Sequence, residues 1–339
     1  MKIGVLGGGS WGSALASLLA EDPKNQVILW AYETAVAEEI RLSHSNSLYL
    51  PSENLSPSLL ATDILKEAVE RALLLVNAVP SQHTRKIWEE AAGYVSPKAI
   101  IVNASKGFEI VSTKRLSEVL KDVLPQHSPQ QFVTLSGPSF AKEVLHHQPT
   151  SVVIAGMDSA VMKKVQALFR RPWFLTYLNE DIVGVEVGGA TKNVIAIGSG
   201  ICEGMGLGLN TRAALITRGL YEMAKLGKCL GANPLTFAGL SGMGDLVLTC
   251  TGEASRNHTV GLKLGQGEPL PEILKGMRSV AEGIATAKAV FELIQKFKLT
   301  NPVCIEIYKI LHLDKSPSQA LKDLLALDLN EEFGGLLGL

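Results

Sequence analysis

Three glycines stand between the first strand and the first helix that the sequence predicts. The run KIGVLGGGSWGSALASLLA contains an apolar strand pattern, then Gly7, Gly9 and Gly12, then a helical pattern. In such a unit the first glycine permits a tight turn, the second lets a pyrophosphate approach the backbone, and the third allows close helix packing. The N–H groups and the dipole at the helix N-terminus then favour the phosphates. This context predicts a dinucleotide-binding unit; a glycine-rich turn without a ligand is the alternative.

An acidic residue, Glu33, follows Gly12 by 21 residues and comes shortly after the second predicted strand. A carboxylate at this place can accept a hydrogen bond from the ribose 2′-hydroxyl of NAD. No Lys or Arg occurs between Val27 and Ala37 to bind the 2′-phosphate of NADP. Alternatively, Glu33 caps the helix that begins near Thr34. The sequence leaves both interpretations of Glu33 open.

The first half of the chain alternates short apolar runs with helical patterns, which is typical of a doubly wound parallel sheet. Most of the runs lack a polar–apolar alternation. Strands that are buried on both faces of a sheet lack it too. Strands are predicted over Lys2–Leu6, Gln26–Trp30, Ala72–Ala78, Ala99–Ala104, Phe132–Leu135, Ser151–Ala155 and Phe174–Leu178. Helices are predicted over Gly12–Ala20, Thr34–Leu42, Gln82–Ala92, Leu116–Leu124, Ala141–His147 and Ala160–Phe169.

The pattern becomes helical throughout from about Asp181. Helices are predicted over Ile182–Gly204, Thr211–Leu230, Asn233–Leu240, Arg256–Leu264, Val280–Phe297, Pro302–His312 and Ser316–Leu327. We therefore predict an α/β fold, with a Rossmann-like doubly wound sheet over residues 1–180 and an all-α C-terminal domain over residues 181–339. The tail, Asn330–Leu339, is expected to be loosely ordered.

Charge and hydropathy exclude several classes of protein. The 339 residues include 32 Lys and Arg against 33 Asp and Glu, a net charge of −1. This balance predicts no bulk attraction to nucleic acid or to an anionic membrane. The mean hydropathy of +0.20 is spread along the chain. Since no uncharged apolar run reaches the roughly 18 residues of a membrane helix, we expect no integral membrane association.

The four cysteines, Cys202, Cys229, Cys250 and Cys304, are far apart in the sequence. No pair has the CxxC spacing or the spacing of metal ligands, so we predict no metal site. Free thiols of this kind, together with the absence of a signal-peptide pattern, favour a cytoplasmic protein.

Polar residues follow three of the predicted strands, at the edge where open α/β sheets bind their ligands. Lys106 comes directly after a buried strand, so its cation is expected to point into the cleft; a solvated loop lysine is the alternative. The three loops are Val79-Pro80-Ser81, Ser105-Lys106-Gly107 and Ser136-Gly137-Pro138-Ser139.

Lys192 is the one charged residue in the apolar helical segment VGGATKNVIAIG and has no acidic neighbour within a turn. The small residues around it would let another backbone or a ligand come close. A desolvated lysine can exchange its proton at a pH useful for acid–base chemistry. The alternative is a lysine whose stem extends along the helix to water.

Further polar groups lie in the helical half. Asp245, in a glycine-flanked loop, either orients Lys192 or a substrate hydroxyl, or caps the local turn. Ser255 is predicted to be the N-cap of a helix, and with Arg256 and Asn257 beside the free N–H groups this helix start would suit a phosphate. The alternative for Arg256 is a surface ion pair. Glu282 opens a long helix, where a first-turn charge preference is sufficient explanation.

Taken in order, these segments resemble the bacterial NAD(P)-dependent glycerol-3-phosphate dehydrogenase family over Met1 to about Leu327. The matching strings are GGGSWGSALA, NASKGFE, LSGPSFAKEV, GVEVGGATKNVIAIGSGI, ALITRGLYEM, GLSGMGDLVLTCTGEASRN, LGQG and SVAEGIATAK.

The resemblance implies a role for each matching position. Lys192, in GGATKN, would be the general acid–base at the substrate C2 oxygen. The substrate would be bound by Lys106, Gly137, Ser139, Asp245, Ser255, Arg256 and Asn257. Besides the three glycines, the dinucleotide would be contacted by Ser10, Trp11, Lys106, Ala141, Arg256, Val280 and Glu282. Many family members carry a basic residue about where Tyr32 stands, so Tyr32 leaves open whether the cofactor is NAD or NADP.

The resemblance also implies an activity, the interconversion of dihydroxyacetone phosphate and sn-glycerol 3-phosphate for glycerophospholipid synthesis, in a homodimer. Two other functions remain open at this stage. A related dehydrogenase of the 3-hydroxyacid or 6-phosphogluconate type also pairs a Rossmann domain with a helical domain and a lysine. The other is a non-catalytic sensor that binds a dinucleotide and reports its redox state to a partner.

Overall fold

The computed structural model describes residues 1–277, 281–327 and 332. The chain forms two compact units, of which the first contains Met1–Lys106 and Leu116–Ile182. The second contains Gly107–Arg115 and the described residues from Val183 onward. A single boundary after residue 180 leaves Gly107–Arg115 in the first domain, whereas their contacts place them in the second unit. Phe108 is fully buried in the second unit's core, and Arg115 Nη1 lies 2.8 Å from Glu186 Oε2.

The first unit is built on an eight-stranded sheet with the order β10-β9-β8-β7-β6-β1-β2-β5. All pairs in this sheet are parallel except β8–β9, which is antiparallel. Within the described residues the strands are β1 (Lys2–Leu6), β2 (Gln26–Trp30), β3 (Ser45–Asn46), β4 (Leu50–Asn54), β5 (Leu60–Thr62), β6 (Leu74–Asn77), β7 (Ile100–Asn103), β8 (Phe132–Ser136), β9 (Thr150–Gly156) and β10 (Phe174–Asn179). The β8–β9 pair is the exception to the parallel arrangement that is typical of a doubly wound sheet. β3 and β4 form a separate two-stranded sheet.

Helices cover both faces of the large sheet. They are α1 (Ser10–Ala20), α2 (Thr34–Ser43), α3 (Leu65–Val69), α4 (Thr84–Ala91), α5 (Leu116–Val123), α6 (Ala141–Leu145) and α7 (Ser159–Phe169). Alternate strand residues point to opposite faces, so Leu74 and Val76 pack in the same cluster as Leu15 of α1. Leu75, between them, packs in another cluster with Trp88 of α4. This two-sided core is the doubly wound arrangement that the apolar runs predict.

The second unit is helical. Its helices are α8 (Ile182–Gly204), α9 (Leu209–Cys229), α10 (Asp245–Thr251), α11 (Arg256–Gly265), α12 (Leu270–Lys275), α13 (Glu282–Phe297), α14 (Pro302–His312) and α15 (Pro317–Leu325). They enclose one core cluster, to which α8 contributes Val194, Ile195 and Ile197, and α13 contributes Val290 and Leu293. Across residues 1–277 and 281–327, no helix is both long enough and apolar enough to span a bilayer.

The prediction of individual elements is best where the pattern is long. β1, β2, α8 and α14 have the predicted bounds. The short elements β3, β4, β5, α3, α10 and α12 were missed. The predicted helix Asn233–Leu240 is a 3-10 helix over Pro234–Ala238, followed by a π-helical turn over Leu240–Gly244. The predicted helix Val280–Phe297 begins at a residue that lies outside the described ones. The predicted tail Asn330–Leu339 also lies outside them, apart from residue 332.

Candidate functional site

The glycine loop joins β1 to α1. Gly7 has φ +119°, and a Cβ there would lie 2.5 Å from the Ala78 carbonyl oxygen. A Cβ on Gly12 would lie 1.9 Å from the Gly7 carbonyl oxygen. The fold itself therefore requires both glycines. A Cβ on Gly9, the N-cap of α1, would meet nothing within 4 Å.

Because nothing in the protein demands glycine at position 9, the open space there fits a group that approaches the backbone from outside. The first N–H groups of an 11-residue helix lie beside it, with no side chain capping them. Phosphate is the ligand that such a helix N-terminus favours. The loop thus fits a dinucleotide pyrophosphate.

The segment from Asn46 to Tyr49, which no sequence pattern marks, is hydrogen-bonded to this loop. Asn46 Nδ2 donates hydrogen bonds to the Gly8 carbonyl oxygen at 2.8 Å and to Ser13 Oγ at 2.9 Å. Ser10 Oγ donates to the Tyr49 carbonyl oxygen at 2.7 Å. Asn46 is fully buried. These bonds hold the start of α1 in place without using the backbone N–H groups that a phosphate needs.

Trp11 and Ala141 both lie in the first unit. Trp11 Nε1 donates to the Ala104 carbonyl oxygen at 3.2 Å, next to the loop that carries Lys106. Ala141 is the first residue of α6 and packs against the core cluster that contains α1.

Three of the predicted substrate residues meet at the ends of β7 and β8. Lys106 Nζ donates to the Gly137 carbonyl oxygen at 3.1 Å, and Ser139 Oγ donates to the same oxygen at 3.0 Å. Gly137 has φ +141°, a conformation that favours glycine. The structure therefore brings Lys106, Gly137 and Ser139 together.

Buried asparagines support these strand ends, and sequence reasoning missed them. Asn77 Nδ2 donates to Asn103 Oδ1 at 3.0 Å, and Trp88 Nε1 donates to Asn77 Oδ1 at 2.9 Å. Ser105 Oγ donates to the Val79 carbonyl oxygen at 2.6 Å. An unpaired polar side chain is costly in a core, so two Asn residues ending neighbouring apolar strands were a signal of this network.

Glu33 occupies the N-cap position of α2, but its side chain makes no capping hydrogen bond. Its Oε1 instead accepts a hydrogen bond from the Tyr49 hydroxyl at 2.7 Å. The capping explanation of Glu33 is therefore wrong. Tyr32 is 76% exposed and contacts Trp30 edge to face.

Lys192 lies on α8 and is buried. Its Nζ donates to Asp245 Oδ1 at 2.5 Å and to Thr249 Oγ1 at 2.7 Å. Thr249 Oγ1 in turn donates to the Asp245 carbonyl oxygen at 2.6 Å. The ammonium therefore does not extend to water, and of the alternatives for Asp245 the structure supports the one in which it orients Lys192.

Close packing between α8 and the segment before α10 creates this cluster. A Cβ on Gly188 would lie 2.5 Å from the Ser241 carbonyl oxygen, so only glycine allows the approach. The π-helical turn then leads directly into α10, of which Asp245 is the first residue. The prediction of a loop at Asp245 was wrong, and it hid Thr249, which lies one helical turn later on the same face.

The predicted phosphate-binding residues lie at the start of α11. Ser255 caps this helix, accepting from the His258 N–H at 3.2 Å. Arg256 is exposed at the first helical position, while Asn257 is buried. Asn257 Nδ2 donates to Asn193 Oδ1 at 2.9 Å, and Asn257 Oδ1 accepts from the Gly283 N–H at 2.9 Å. The side chain of Asn257 thus joins α8, α11 and α13.

Two predicted dinucleotide contacts come just before or at the start of α13. Glu282 is its first residue and lies in the first turn. Val280 lies outside the described residues.

A phosphate-binding glycine loop on a doubly wound sheet, with a buried lysine and its carboxylate partner in a separate helical unit, defines a dinucleotide-dependent dehydrogenase. Residues 2–162 match the family described as NAD-dependent glycerol-3-phosphate dehydrogenase N-terminus, and residues 181–322 match its C-terminus. The chain belongs to the NAD-dependent glycerol-3-phosphate dehydrogenase family, a family of oxidoreductases.

Full-length relatives agree with this assignment. The chain is 50% identical to glycerol-3-phosphate dehydrogenase (NAD(P)+) of Geobacter sulfurreducens, over 98% of each chain. It is 49% identical to the Geobacter metallireducens enzyme of the same name, over 98% and 99% of the two chains. The crystal structure of glycerol-3-phosphate dehydrogenase from Coxiella burnetii superposes with a TM-score of 0.91 at 36% identity, covering 96% of this chain and 99% of that one. The predicted fold class and family are confirmed.

Proposed function

We propose that this protein reduces dihydroxyacetone phosphate to sn-glycerol 3-phosphate, and catalyses the reverse reaction, with Lys192 as the general acid–base. The observation that carries the proposal is the burial of Lys192 between Asp245 and Thr249, in a chain of this family. Bound NAD(P)H supplies the hydride for the C2 carbonyl carbon.

Lys192 does the proton chemistry. In the direction of reduction its ammonium donates a proton to the C2 oxygen, and its positive charge stabilises the negative charge that develops there. In the reverse direction the neutral amine takes the proton of the C2 hydroxyl. Asp245 and Thr249 hold Nζ at 2.5 and 2.7 Å, so the ammonium is oriented before the substrate arrives.

The substrate needs a phosphate site as well as an acid. We assign it to Arg256 and to the backbone N–H groups at the start of α11, which Ser255 caps. Because the Asn257 side chain bonds to Asn193 and Gly283, it shapes this helix start as well as contributing to binding. Lys106, Gly137 and Ser139 are assigned to the substrate in the first unit.

The dinucleotide is assigned mainly to the first unit. Gly7, Gly9 and Gly12 form the pyrophosphate loop. The further contacts are assigned to Ser10, Trp11, Tyr32, Lys106, Ala141, Arg256, Val280 and Glu282.

The proposed physiological setting is supported by the family resemblance and by the cysteines. Reduction of the ketone would supply the backbone for glycerophospholipids. All four cysteines are free thiols in the structure, which favours a reducing cytoplasm. We propose a homodimer as the working assembly.

A rate assay tests the proposed activity. NADH and NADPH oxidation would be followed with dihydroxyacetone phosphate and, in parallel, with acetoacetyl-CoA. We expect rapid oxidation with the first substrate and none above background with the second. Oxidation with acetoacetyl-CoA alone would favour the 3-hydroxyacid type of dehydrogenase. Dinucleotide binding without oxidation by either ketone would favour a sensor.

A further inference from the structure

Two carboxylates stand at the strand ends beyond the glycine loop. Glu33 follows β2, and Asp63 follows β5, the neighbour of β2 in the sheet. Thr34 Oγ1 donates to Asp63 Oδ2 at 2.7 Å, and Trp30 Nε1 donates to the Asp63 carbonyl oxygen at 3.1 Å. Since β2 and β5 are parallel, both acids lie at the edge of the sheet where a dinucleotide binds.

Tyr49 connects Glu33 to the glycine loop. The Tyr49 carbonyl oxygen accepts from Ser10 at the start of α1, and the Tyr49 hydroxyl donates to Glu33 Oε1 at 2.7 Å. Asn46, which binds the Gly8 carbonyl oxygen, lies three residues before Tyr49. The position of the Glu33 carboxylate is therefore fixed relative to the pyrophosphate loop. Among the described residues, Glu33 Oε2 has no hydrogen-bond partner.

The charges around this edge are mainly negative. The hydrogen bond from Thr34 lowers the pKa of Asp63, so this carboxylate is ionised at neutral pH. Arg41, in the last turn of α2, adds a smaller effect on Asp63 and also lies 3.9 Å from Glu38. Tyr32, directly before Glu33, is exposed and uncharged.

We propose that Glu33, positioned by Tyr49, makes this enzyme select NADH over NADPH. Glu33 Oε2 accepts a hydrogen bond from the ribose 2′-hydroxyl of NADH. The negative charges of Glu33 and Asp63 repel the 2′-phosphate of NADPH. Tyr49 is the positioning residue, because its hydroxyl donates to Oε1 and leaves Oε2 available for the ribose. This inference rests on the dinucleotide site of the proposed function.

Equilibrium titration with each dinucleotide, without a ketone, tests the inference by nucleotide fluorescence. We expect the wild-type protein to bind NADH at least about tenfold more tightly than NADPH, as a hydrogen bond to a charged group predicts. Glu33→Gln should reduce this ratio about tenfold, and Tyr49→Phe several-fold. Tyr177→Phe, the same change at an exposed strand residue, is the matched control and should leave the ratio unchanged. Tyr32→Arg combined with Glu33→Gln should reverse the preference.

The inference is overturned if the wild-type protein binds NADPH as tightly as NADH or more tightly, or if Glu33→Gln leaves the ratio unchanged. Circular dichroism of each variant separates a change of selectivity from a failure to fold. The ketone assay keeps the two proposals apart. Equal binding of NADH and NADPH with normal reduction of dihydroxyacetone phosphate overturns the selectivity and leaves the activity standing, whereas loss of all dinucleotide binding in the wild type overturns both.

Discussion

The glycine loop and the Lys192 cluster differ in the kind of atoms that form them. The loop uses backbone: six consecutive residues provide the turn, the open space at Gly9 and the uncapped N–H groups of α1. The Lys192 cluster uses side chains, and its partners lie 53 and 57 residues away in the sequence. A backbone site depends on the absence of side chains, whereas a buried ionic site depends on the exact presence of each one.

This difference predicts different responses to substitution. Removing a side chain from the Lys192 cluster leaves a buried charge without its partner, which is costly for both chemistry and stability. Adding a methyl group at an open position of the loop disturbs only the ligand. Substitutions at the two sites therefore test this contrast.

Lys192→Ala should lower kcat about 10³-fold or more, because it removes both the proton donor and the charge opposite the developing alkoxide. The Kd for the dinucleotide, which we assign mainly to the first unit, should change less than about twofold. Lys275→Ala, at an exposed lysine on α12, is the control and should leave both values unchanged. Steady-state kinetics and fluorescence titration measure the two quantities. Turnover above a tenth of the wild-type rate would remove Lys192 from the assigned role.

Asp245→Asn should lower kcat about 10²-fold, because the uncharged amide no longer stabilises the ammonium that it positions. Thr249→Val, which removes one neutral hydrogen bond, should lower kcat only about fivefold. Steady-state kinetics of the two variants compares the contribution of the Asp245 charge to kcat with that of the Thr249 hydrogen bond. Equal losses would contradict the dominant role of the charge.

Glu222 offers a contrast with Asp245 inside the same unit. It is buried on α9 and accepts from the backbone N–H groups of Val303 at 2.7 Å and Cys304 at 2.9 Å. Burial raises the pKa of Glu222 to about 7. Because this folded-state value lies above the unfolded value, the folded protein holds the proton more tightly, and the stabilisation is lost as the pH rises through 7.

The free energy of unfolding should therefore fall by about 2 kcal/mol between pH 5 and pH 7 from this group alone. Urea denaturation at several pH values measures it. Glu222→Gln cannot titrate and should flatten this part of the profile. A wild-type profile as flat as that of the variant would show that Glu222 stays ionised in the folded protein.

Gly9→Ala should weaken dinucleotide binding about tenfold, since the new Cβ takes the space that a phosphate would use. Stability should fall by less than about 1 kcal/mol, because the Cβ meets no protein atom within 4 Å. Gly93→Ala, in the same unit and also facing open space, is the matched control for binding. Unchanged binding in Gly9→Ala would mean that no ligand approaches the loop at this residue.

The same contrast explains which parts of the molecule the sequence could predict. A local pattern was sufficient for the glycine loop, for β1 and β2, and for the long apolar helix α8. Lys192 was recognisable as an isolated charge in that helix, and Ser255 as a helix cap. Thr249 and the segment from Asn46 to Tyr49 were not, because their roles arise from contacts between elements distant in the sequence.

One error and one omission have a definite physical origin. Asp245 was assigned to a loop because flanking glycines usually mark turns, but a Cβ on Gly242 would lie 2.1 Å from the Phe237 carbonyl oxygen, so this glycine serves close packing instead. The antiparallel β8–β9 pair was missed because apolar runs carry no information about strand direction.

In the proposed reaction, hydride transfer to C2 and proton transfer by Lys192 occur together on dihydroxyacetone phosphate. NADH that carries deuterium at the transferred position of the nicotinamide tests this reaction, with mass spectrometry and NMR of the product. We expect sn-glycerol 3-phosphate with one deuterium at C2 from the wild-type protein, and almost none formed by Lys192→Ala. Product without deuterium at C2, or equal product from Lys192→Ala, would show that the proposed reaction does not occur.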